Sequence, residues 1–596
     1  MGIFRQGVMK ISVLRGACVL LLALGAASCD GAAGAPMDRT ALAAGNGAAA
    51  AADPEQVHAF YPSAAGFFLA AREAEMSGDR ALAAKFMAEA LKLDPTNPDL
   101  LRGTFELALA EGHIEEADHL ARAIVATRPE DQLPNYLLAV EEVRDGRPKA
   151  AIARMQRLPK VELAVVTAPM IEAWALAGEG KTNEALGALD ALASLRGFSV
   201  LRDFHAAMIE DLAGRTAEAE TDYKKALAAE ASPSYRVVEA LANFYARHGR
   251  NKEAVALFER YKDSVPDTVR VEQTIKELRS GKPAPHLRNA KDGLAEALFD
   301  LGSALRQGSD DGISLQFVQL SLVVEPGFDL SRLTLADILS SEQRDGDALA
   351  IYRSIPPSSP LYYSARLRVA EALHNMGKLD EAVKELEVLA ARWPSRPEAL
   401  ATEGDFLRAA DRFADAAKAY DRAIARLNPV KPADWSLFYA RGVALERAGD
   451  WPPAEKDFLE SLKLSPDQPS VLNYLGYSWV DRGIHLDKAK GLIERAVQLR
   501  PNDGYIVDSL GWVLYREGQY QSAVTNLERA VELRPDDPVI NDHLGDAYWR
   551  VGRENEARYQ WRRALSLKPD SALETQLGLK LEHGLKVEKK SGEHNS

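Results

Sequence analysis

The sequence predicts an all-α solenoid, a right-handed superhelix of about fourteen helical hairpins, and two observations support this prediction. First, a pattern of glycine, alanine and proline repeats every 34 residues near the C-terminus. Second, aromatic residues make up only 7% of the 596 residues while alanine is abundant, which favours thin, closely packed helices. The two cysteines exclude a disulfide framework, and the net charge of -14 argues against nucleic acid as a partner.

The N-terminus has the features of a secretory signal. Basic residues precede an apolar stretch from Ala17 to Ala27, which is too short to span the roughly 30 Å of hydrocarbon in a bilayer. The stretch runs into Ala26-Ala27-Ser28-Cys29, which resembles the lipobox of bacterial lipoproteins. The resemblance implies that residues 1–28 are a lipoprotein signal peptide and that Cys29 becomes the acylated N-terminus. An ordinary secretory signal with an incidental cysteine is the alternative.

Composition and repeat frame divide the rest of the chain. Residues 29–62 are rich in alanine and glycine without helical amphipathicity, so we expect a flexible tether. The repeat frame breaks between Pro266 and Asn289, which suggests a connector, either a hinge or a rigid loop. The predicted parts are an N-terminal repeat lobe at 63–265, the connector at 266–292, a C-terminal repeat lobe at 293–569, and a capping helix with a disordered tail at 570–596. Lys580 is expected on the polar outer face of that capping helix.

The repeat frame is clearest between residues 473 and 569. Proline recurs as Pro501, Pro535 and Pro569, and glycine, alanine, a bulky residue, alanine and proline follow one another in the same order within each unit. Small residues let the two helices of a hairpin approach closely, and the proline ends each unit because it cannot continue a helix. The expected packing residues of the last two units are Gly511, Ala523, Ala530, Gly545, Ala557 and Ala564. This pattern is similar to that of tetratricopeptide repeats.

In such repeats the first helix of each hairpin lines a concave surface, and its exposed positions follow from the frame. In the last three repeats the predicted partner groove contains Asn473, Tyr477, Asp508, Trp512, Tyr515, Asp542, Asp546 and Trp549, and the frame also places Asp481, Arg516 and Arg550 on its surface. Because aromatic and acidic side chains alternate there, we expect an extended or helical protein segment with basic and apolar residues, anchored by Trp512 and Trp549. The alternative is that the aromatics only wedge neighbouring helices apart and the acids are solvated.

Catalytic patterns are missing from the sequence. It contains no HExxH, CxxC, GxSxG or P-loop motif. The nearest cluster with metal-ligating side chains is His113, Glu116 and His119, which falls at the start of a second helix, where such residues are usually solvated. We therefore predict a noncatalytic protein without cofactor or metal, with an enzyme of unrecognised type as the remaining alternative.

The order of parts resembles that of the LbcA-type adaptors, which are lipoproteins of bacterial envelopes with many tetratricopeptide repeats. The motifs of this resemblance are Asn473-Tyr474-Leu475-Gly476-Tyr477, Asp508-Ser509-Leu510-Gly511-Trp512 and Asn541-Asp542-His543-Leu544-Gly545-Asp546. The resemblance implies a membrane-anchored scaffold that presents cell-wall hydrolases to a carboxy-terminal processing protease. It also implies a location at the periplasmic face of the outer membrane, with the inner membrane left open. The alternative function is assembly or secretion of outer-membrane proteins or exported polysaccharide.

Overall fold

The computed structural model describes residues 63–229, 234–262, 269–279, 287–307 and 311–585. Within these ranges the regular elements are α-helices, apart from one 3-10 turn at Pro432–Asp434, and they belong to a single compact unit. None of these helices combines the length and the apolar character that a bilayer crossing requires. The predicted signal peptide, Cys29, the tether, residues 266–268 and 280–286 of the connector and the tail after residue 585 lie outside the described residues.

Thirty α-helices occur in the described residues, and we number them in chain order. They are α1 (Ala64–Met76), α2 (Arg80–Leu93), α3 (Pro98–Ala110), α4 (Ile114–Thr127), α5 (Gln132–Arg144), α6 (Pro148–Arg157), α7 (Ala164–Gly178), α8 (Thr182–Ala193), α9 (Ser199–Leu212), α10 (Thr216–Ala228), α11 (Tyr235–Arg247), α12 (Asn251–Lys262), α13 (Val269–Arg279), α14 (Ala290–Gln307), α15 (Asp311–Val324), α16 (Asp329–Ser341), α17 (Asp345–Ser354), α18 (Tyr362–Asn375), α19 (Leu379–Arg392), α20 (Glu398–Ala409), α21 (Phe413–Ile424), α22 (Trp435–Arg447), α23 (Trp451–Leu464), α24 (Pro469–Asp481), α25 (Leu486–Leu499), α26 (Gly504–Arg516), α27 (Tyr520–Leu533), α28 (Pro538–Arg550), α29 (Glu554–Ser566) and α30 (Ser571–His583).

Consecutive helices pair into fourteen hairpins. Six hairpins, α1 to α12, form what we call the N-terminal repeats, and the seven hairpins from α16 to α29 form the C-terminal repeats. The hairpin of α14 and α15 lies between the two sets, after the single helix α13, and α30 follows the last hairpin. The predicted fold class, an all-α solenoid of helical hairpins, is confirmed.

Close contact between a glycine and a bulky side chain joins the two helices of each hairpin from α20 to α29. The pairs are Gly404 with Tyr420, Gly442 with Phe458, Gly476 with Ile493, Gly511 with Leu527 and Gly545 with Trp561. A methyl group on Gly545 would lie 2.5 Å from Cδ1 of Trp561, so no larger residue fits without a shift. The alanines at 523, 530, 557 and 564 have no exposed surface, and Trp561 has none either. The small residues thus stand where the helices of these hairpins touch.

The chain folds back on itself at the hairpin of α14 and α15. Helix α14 packs against α7 and α9, and α15 packs against α3 and α5. Gly293 of α14 lies so close to Trp174 of α7 that a methyl group there would stand 2.1 Å from the indole ring. The ten residues from Pro134 to Val143 in α5 are all buried. The inner surface of these N-terminal repeats is therefore covered by the protein's own hairpin, which the repeat frame had assigned to the C-terminal lobe.

Polar contacts hold this hairpin against the N-terminal repeats. Nε2 of Gln319 donates a hydrogen bond of 3.1 Å to the carbonyl oxygen of Ala110. In the interior, Nε of Arg236 on α11 donates to Oε1 of Glu296 on α14 at 2.6 Å. Glu296 has no exposed surface, and burial raises its pKa despite the neighbouring arginine. The contact between α11 and α14 thus depends on a buried ion pair.

Candidate protein-binding groove

Helix α26 contacts both α24 and α28, and these three first helices form a continuous surface, which we call the C-terminal groove. Local sequence fixes where these helices begin. Proline occupies the first turn of α24 and α28, and Oδ1 of Asp537 accepts hydrogen bonds from the backbone N–H groups of Val539 and Ile540 at 2.9 and 3.0 Å. With the starts fixed, residues four apart lie on one face of each helix.

Eight of the residues that the sequence assigns to the partner groove differ in their burial. Asn473, Tyr477, Trp512, Tyr515 and Trp549 are half-buried, whereas Asp508, Asp542 and Asp546 are buried, with 5 to 6% of their surface exposed. The burial of the three acids contradicts the part of the alternative interpretation in which these acids are solvated. Each of them has a cationic or hydrogen-bonding partner within the protein.

Asp508 is paired with His543 of the next repeat. Nδ1 of His543 lies 3.0 and 3.1 Å from the two carboxylate oxygens of Asp508. Burial lowers the pKa of His543, but the carboxylates of Asp508, Asp542 and Asp546 outweigh burial and hold it above its ordinary value. The imidazole ring stacks on Trp512 with a centroid distance of 4.0 Å, and Trp512 stacks on Tyr515 at 4.8 Å. The charge of Asp508 is thus compensated by His543, whose ring is part of a stack with Trp512 and Tyr515.

Asp542 and Asp546 are both paired with Lys580 of α30. Nζ of Lys580 donates to the two carboxylate oxygens of Asp542 at 2.7 and 2.8 Å and to Oδ2 of Asp546 at 2.9 Å. Nε1 of Trp561 donates to the other oxygen of Asp546 at 3.0 Å. Burial and Asp542 raise the pKa of Asp546 to about 6, although Lys580 opposes this shift. Lys580 therefore points toward the groove rather than outward, because the two carboxylates attract it.

Trp549 contacts the end of α30. Gly584, with a φ of 69°, lies against the indole ring so closely that a methyl group would stand 2.1 Å from Cζ2. On the other side, the rings of Trp549 and Trp561 are 5.4 Å apart. Trp549 is therefore largely occupied by packing within the protein, and Trp512 is likewise stacked on His543 and Tyr515, so both expected anchors are half-buried.

The open part of the C-terminal groove lies at α24 and α26. Tyr477 is half-buried there, while Asp481 and Arg516 are exposed. Burial, with help from Asp508 and Asp481, raises the pKa of Tyr477 to about 12. Among the described residues, neither Oδ1 of Asn473 nor Nε1 of Trp512 has a hydrogen-bond partner, although both atoms are buried. This surface offers aromatic rings beside exposed charges, a combination found at protein-binding surfaces.

Sequence reasoning missed two residues at the groove, His543 and Lys580, whereas it placed Arg516 there. The repeat frame contained a signal for Lys580, which stands 34 residues after Asp546 and so occupies a groove position in the same frame. His543 gave no such signal, because its position is filled by Tyr474 and Ser509 in the two preceding repeats.

The cluster of His113, Glu116 and His119 does not form a metal site. Nδ1 of His113 is 4.0 Å from a carboxylate oxygen of Glu116, and both side chains are largely exposed. In the described ranges there is no group of three histidine, cysteine or acidic side chains that could hold a metal ion.

Comparison with known proteins identifies the repeats. A family model described as a TPR repeat matches residues 511–552, and one described as a tetratricopeptide repeat matches residues 212–267, 367–432, 401–469 and 439–504. A TPR repeat-containing protein of Pseudomonas aeruginosa is 32% identical over 187 residues, which cover 31% of this chain and 31% of that protein. The match thus spans about a third of the length of this curated relative.

Solved structures with a similar arrangement of helices include two long chains. The APC/C hetero-tetramer Cut9–Hcn1 aligns over 82% of this chain and 97% of that chain, with a TM-score of 0.35 and 16% identity. Yeast Tom70 aligns over 87% of this chain and 95% of that chain, with a TM-score of 0.28 and 15% identity.

The repeats define the class of protein. The chain contains tetratricopeptide repeats, and its fold is that of an interaction scaffold, a class that binds protein or peptide ligands and is generally noncatalytic.

Proposed function

We propose that this protein is a noncatalytic, lipid-anchored adaptor of the periplasm that binds protein partners through its C-terminal groove. The observation that carries the proposal is the open surface of α24 and α26, where Tyr477 and Trp512 are half-buried beside the exposed Arg516. The N-terminal repeats offer no equivalent surface at α5, since the hairpin of α14 and α15 packs there. Partner binding is therefore assigned to the C-terminal repeats.

The mechanism is an increase in effective concentration. A scaffold that holds a protease and its substrate at the same time raises their encounter rate without new chemistry. By the resemblance to LbcA-type adaptors, the leading partners are a carboxy-terminal processing protease and cell-wall hydrolases. The lipobox and the same resemblance support a location at the periplasmic face of the outer membrane, with the inner membrane as the alternative.

Photo-crosslinking tests the groove. A photoreactive benzoylphenylalanine in place of Tyr477 should give covalent adducts with envelope proteins, because this side chain lies in the open part of the groove. The same residue in place of Tyr559, which is 65% exposed on the outer helix α29, is the matched control. A processing protease among the Tyr477 adducts would support the adaptor function, and components of outer-membrane assembly would support the alternative. Identical adducts at both positions, or none at Tyr477, would contradict binding in the groove.

Membrane anchoring is tested at the lipobox. We expect Cys29→Ser to block lipoprotein processing and to release the chain from membrane fractions, since serine cannot accept the thioether-linked lipid. Incorporation of labelled palmitate and cell fractionation measure this, with Cys18→Ser inside the signal peptide as the control variant. Unchanged membrane attachment of Cys29→Ser would refute the anchor without affecting the assignment of the groove.

A further inference from the structure

One position of the repeat frame carries a series of charged residues along the C-terminal groove and the preceding first helix α22. The last turn of each first helix from α22 to α28 holds Arg447, Asp481, Arg516 and Arg550, which are 34 or 35 residues apart. The first three of these side chains are exposed. Arg550 is half-buried, and its Nε donates a hydrogen bond of 3.1 Å to the hydroxyl oxygen of Tyr515. Arginine thus occupies this edge of the groove in three of four consecutive repeats.

Acidic residues on these first helices are compensated within the protein, as Glu446, Asp508 and Asp542 show. The distances between nitrogen and carboxylate oxygen are 3.0 Å from Arg482 to Glu446, 3.0 Å from His543 to Asp508 and 2.7 Å from Lys580 to Asp542. A basic ligand would have to displace Lys580 or His543 to reach the buried acids. That exchange would cost the desolvation of a new cation without adding an ion pair.

The charges left for a ligand are those of Arg447, Asp481 and Arg516. Within the described residues none of the three forms an ion pair, and Arg447 lies over the ring of Phe413 with its guanidinium 4.6 Å from the centroid. Two arginines against one aspartate leave the accessible part of the groove with a positive excess. Arginine presents a planar set of donors that binds carboxylates in a bidentate manner.

We propose that the C-terminal groove binds an acidic protein segment that also carries apolar or aromatic side chains. Its carboxylates pair with Arg447 and Arg516, and its apolar side chains pack on Tyr477 and Trp512. This inference rests on the proposed function and names the chemistry of the partner. It replaces the basic segment expected from the sequence, because the acids that suggested a basic ligand are already paired with His543 and Lys580.

Two synthetic probes test the charge preference. One is a short fluorescently labelled peptide in which glutamate and aspartate alternate with phenylalanine and leucine, and the other has lysine and arginine in place of the acids. The full chain should bind the acidic probe at least tenfold more tightly than the basic probe. Binding should weaken with rising salt, since the charges involved are exposed. Fluorescence anisotropy at several salt concentrations measures both effects.

Charge reversal locates the site. The double variant Arg447→Glu, Arg516→Glu should weaken binding of the acidic probe at least tenfold, and Asp481→Asn should leave binding unchanged or strengthen it. The matched control is Arg562→Glu, Arg563→Glu, which reverses two exposed arginines on the outer face of α29 and should change little. Circular dichroism establishes that the variants keep their helices.

Three results would overturn the proposal of an acidic ligand. They are tighter binding of the basic probe, equal loss of binding in the groove and control variants, and no measurable binding of either probe. Failure of the proposed function would instead be seen in the crosslinking experiment, as an absence of specific adducts at Tyr477. Specific adducts at Tyr477 together with a preference for the basic probe would keep the groove and reject only its charge assignment.

Discussion

Trp561→Ala should destabilise the C-terminal repeats by about 3–5 kcal/mol, among the largest effects expected of a single substitution in this protein. The indole has no exposed surface and lies against Gly545 of the partner helix, so its removal leaves a cavity between α28 and α29. The variant also takes away the N–H group that donates to the buried carboxylate of Asp546.

Urea denaturation followed by circular dichroism measures this effect, and hydrogen exchange of α26 to α30 locates it. The control is Tyr559→Ala on the same helix, where the side chain is 65% exposed and a change below about 0.5 kcal/mol is expected. Trp561→Phe separates the two contributions, because phenylalanine restores much of the volume but cannot donate to Asp546. A loss below about 1 kcal/mol in Trp561→Ala would contradict tight packing of this hairpin.

Arg236→Met should destabilise the N-terminal repeats by about 3–5 kcal/mol, because it leaves the carboxylate of Glu296 buried without its main cation. Arg236 reaches Glu296 from α11 across to α14, and it also pairs with Glu239 on its own helix. Hydrogen exchange should therefore increase first in α14 and α15, the hairpin that covers the N-terminal repeats.

A second substitution distinguishes charge from packing. Glu296→Leu in the Arg236→Met background should recover much of the lost stability, since an apolar pair removes the buried charge altogether. Arg250→Met, which removes a partly exposed arginine that pairs with Glu220 and Glu253, is the control and should have a smaller effect. If Arg236→Met behaved like Arg250→Met, the described contact between α11 and α14 would be wrong.

The fold class was predictable because the steric requirement of a hairpin is local in sequence. A small residue such as Gly511 must meet a bulky one such as Leu527, and this requirement recurs with the length of the repeat. The same regularity placed Tyr477, Trp512 and Trp549 on the first helices. The 34-residue period therefore predicts which segments form helices and which face of each helix a residue occupies.

Long-range partners were not predictable from the same period. The hairpin of α14 and α15 has a local small-residue contact like other hairpins, since a methyl group on Gly302 would lie 3.1 Å from the carbonyl oxygen of Ser314. Nothing in that pattern indicates that it packs on repeats far earlier in the chain. The pairing of Asp508 with His543 was likewise not predictable, because the two preceding repeats have Tyr474 and Ser509 at the position of this histidine.

The folded-back hairpin has a mechanical consequence. A solenoid whose repeats touch only their neighbours bends and stretches like a spring. Here the hydrogen bond between Gln319 and Ala110 joins residues 209 positions apart, and other contacts of α14 and α15 reach α5, α7 and α9. Such long-range contacts stiffen the N-terminal repeats, so elastic compliance should be concentrated in α16 to α29. In these helices the curvature of the surface can change when a partner binds.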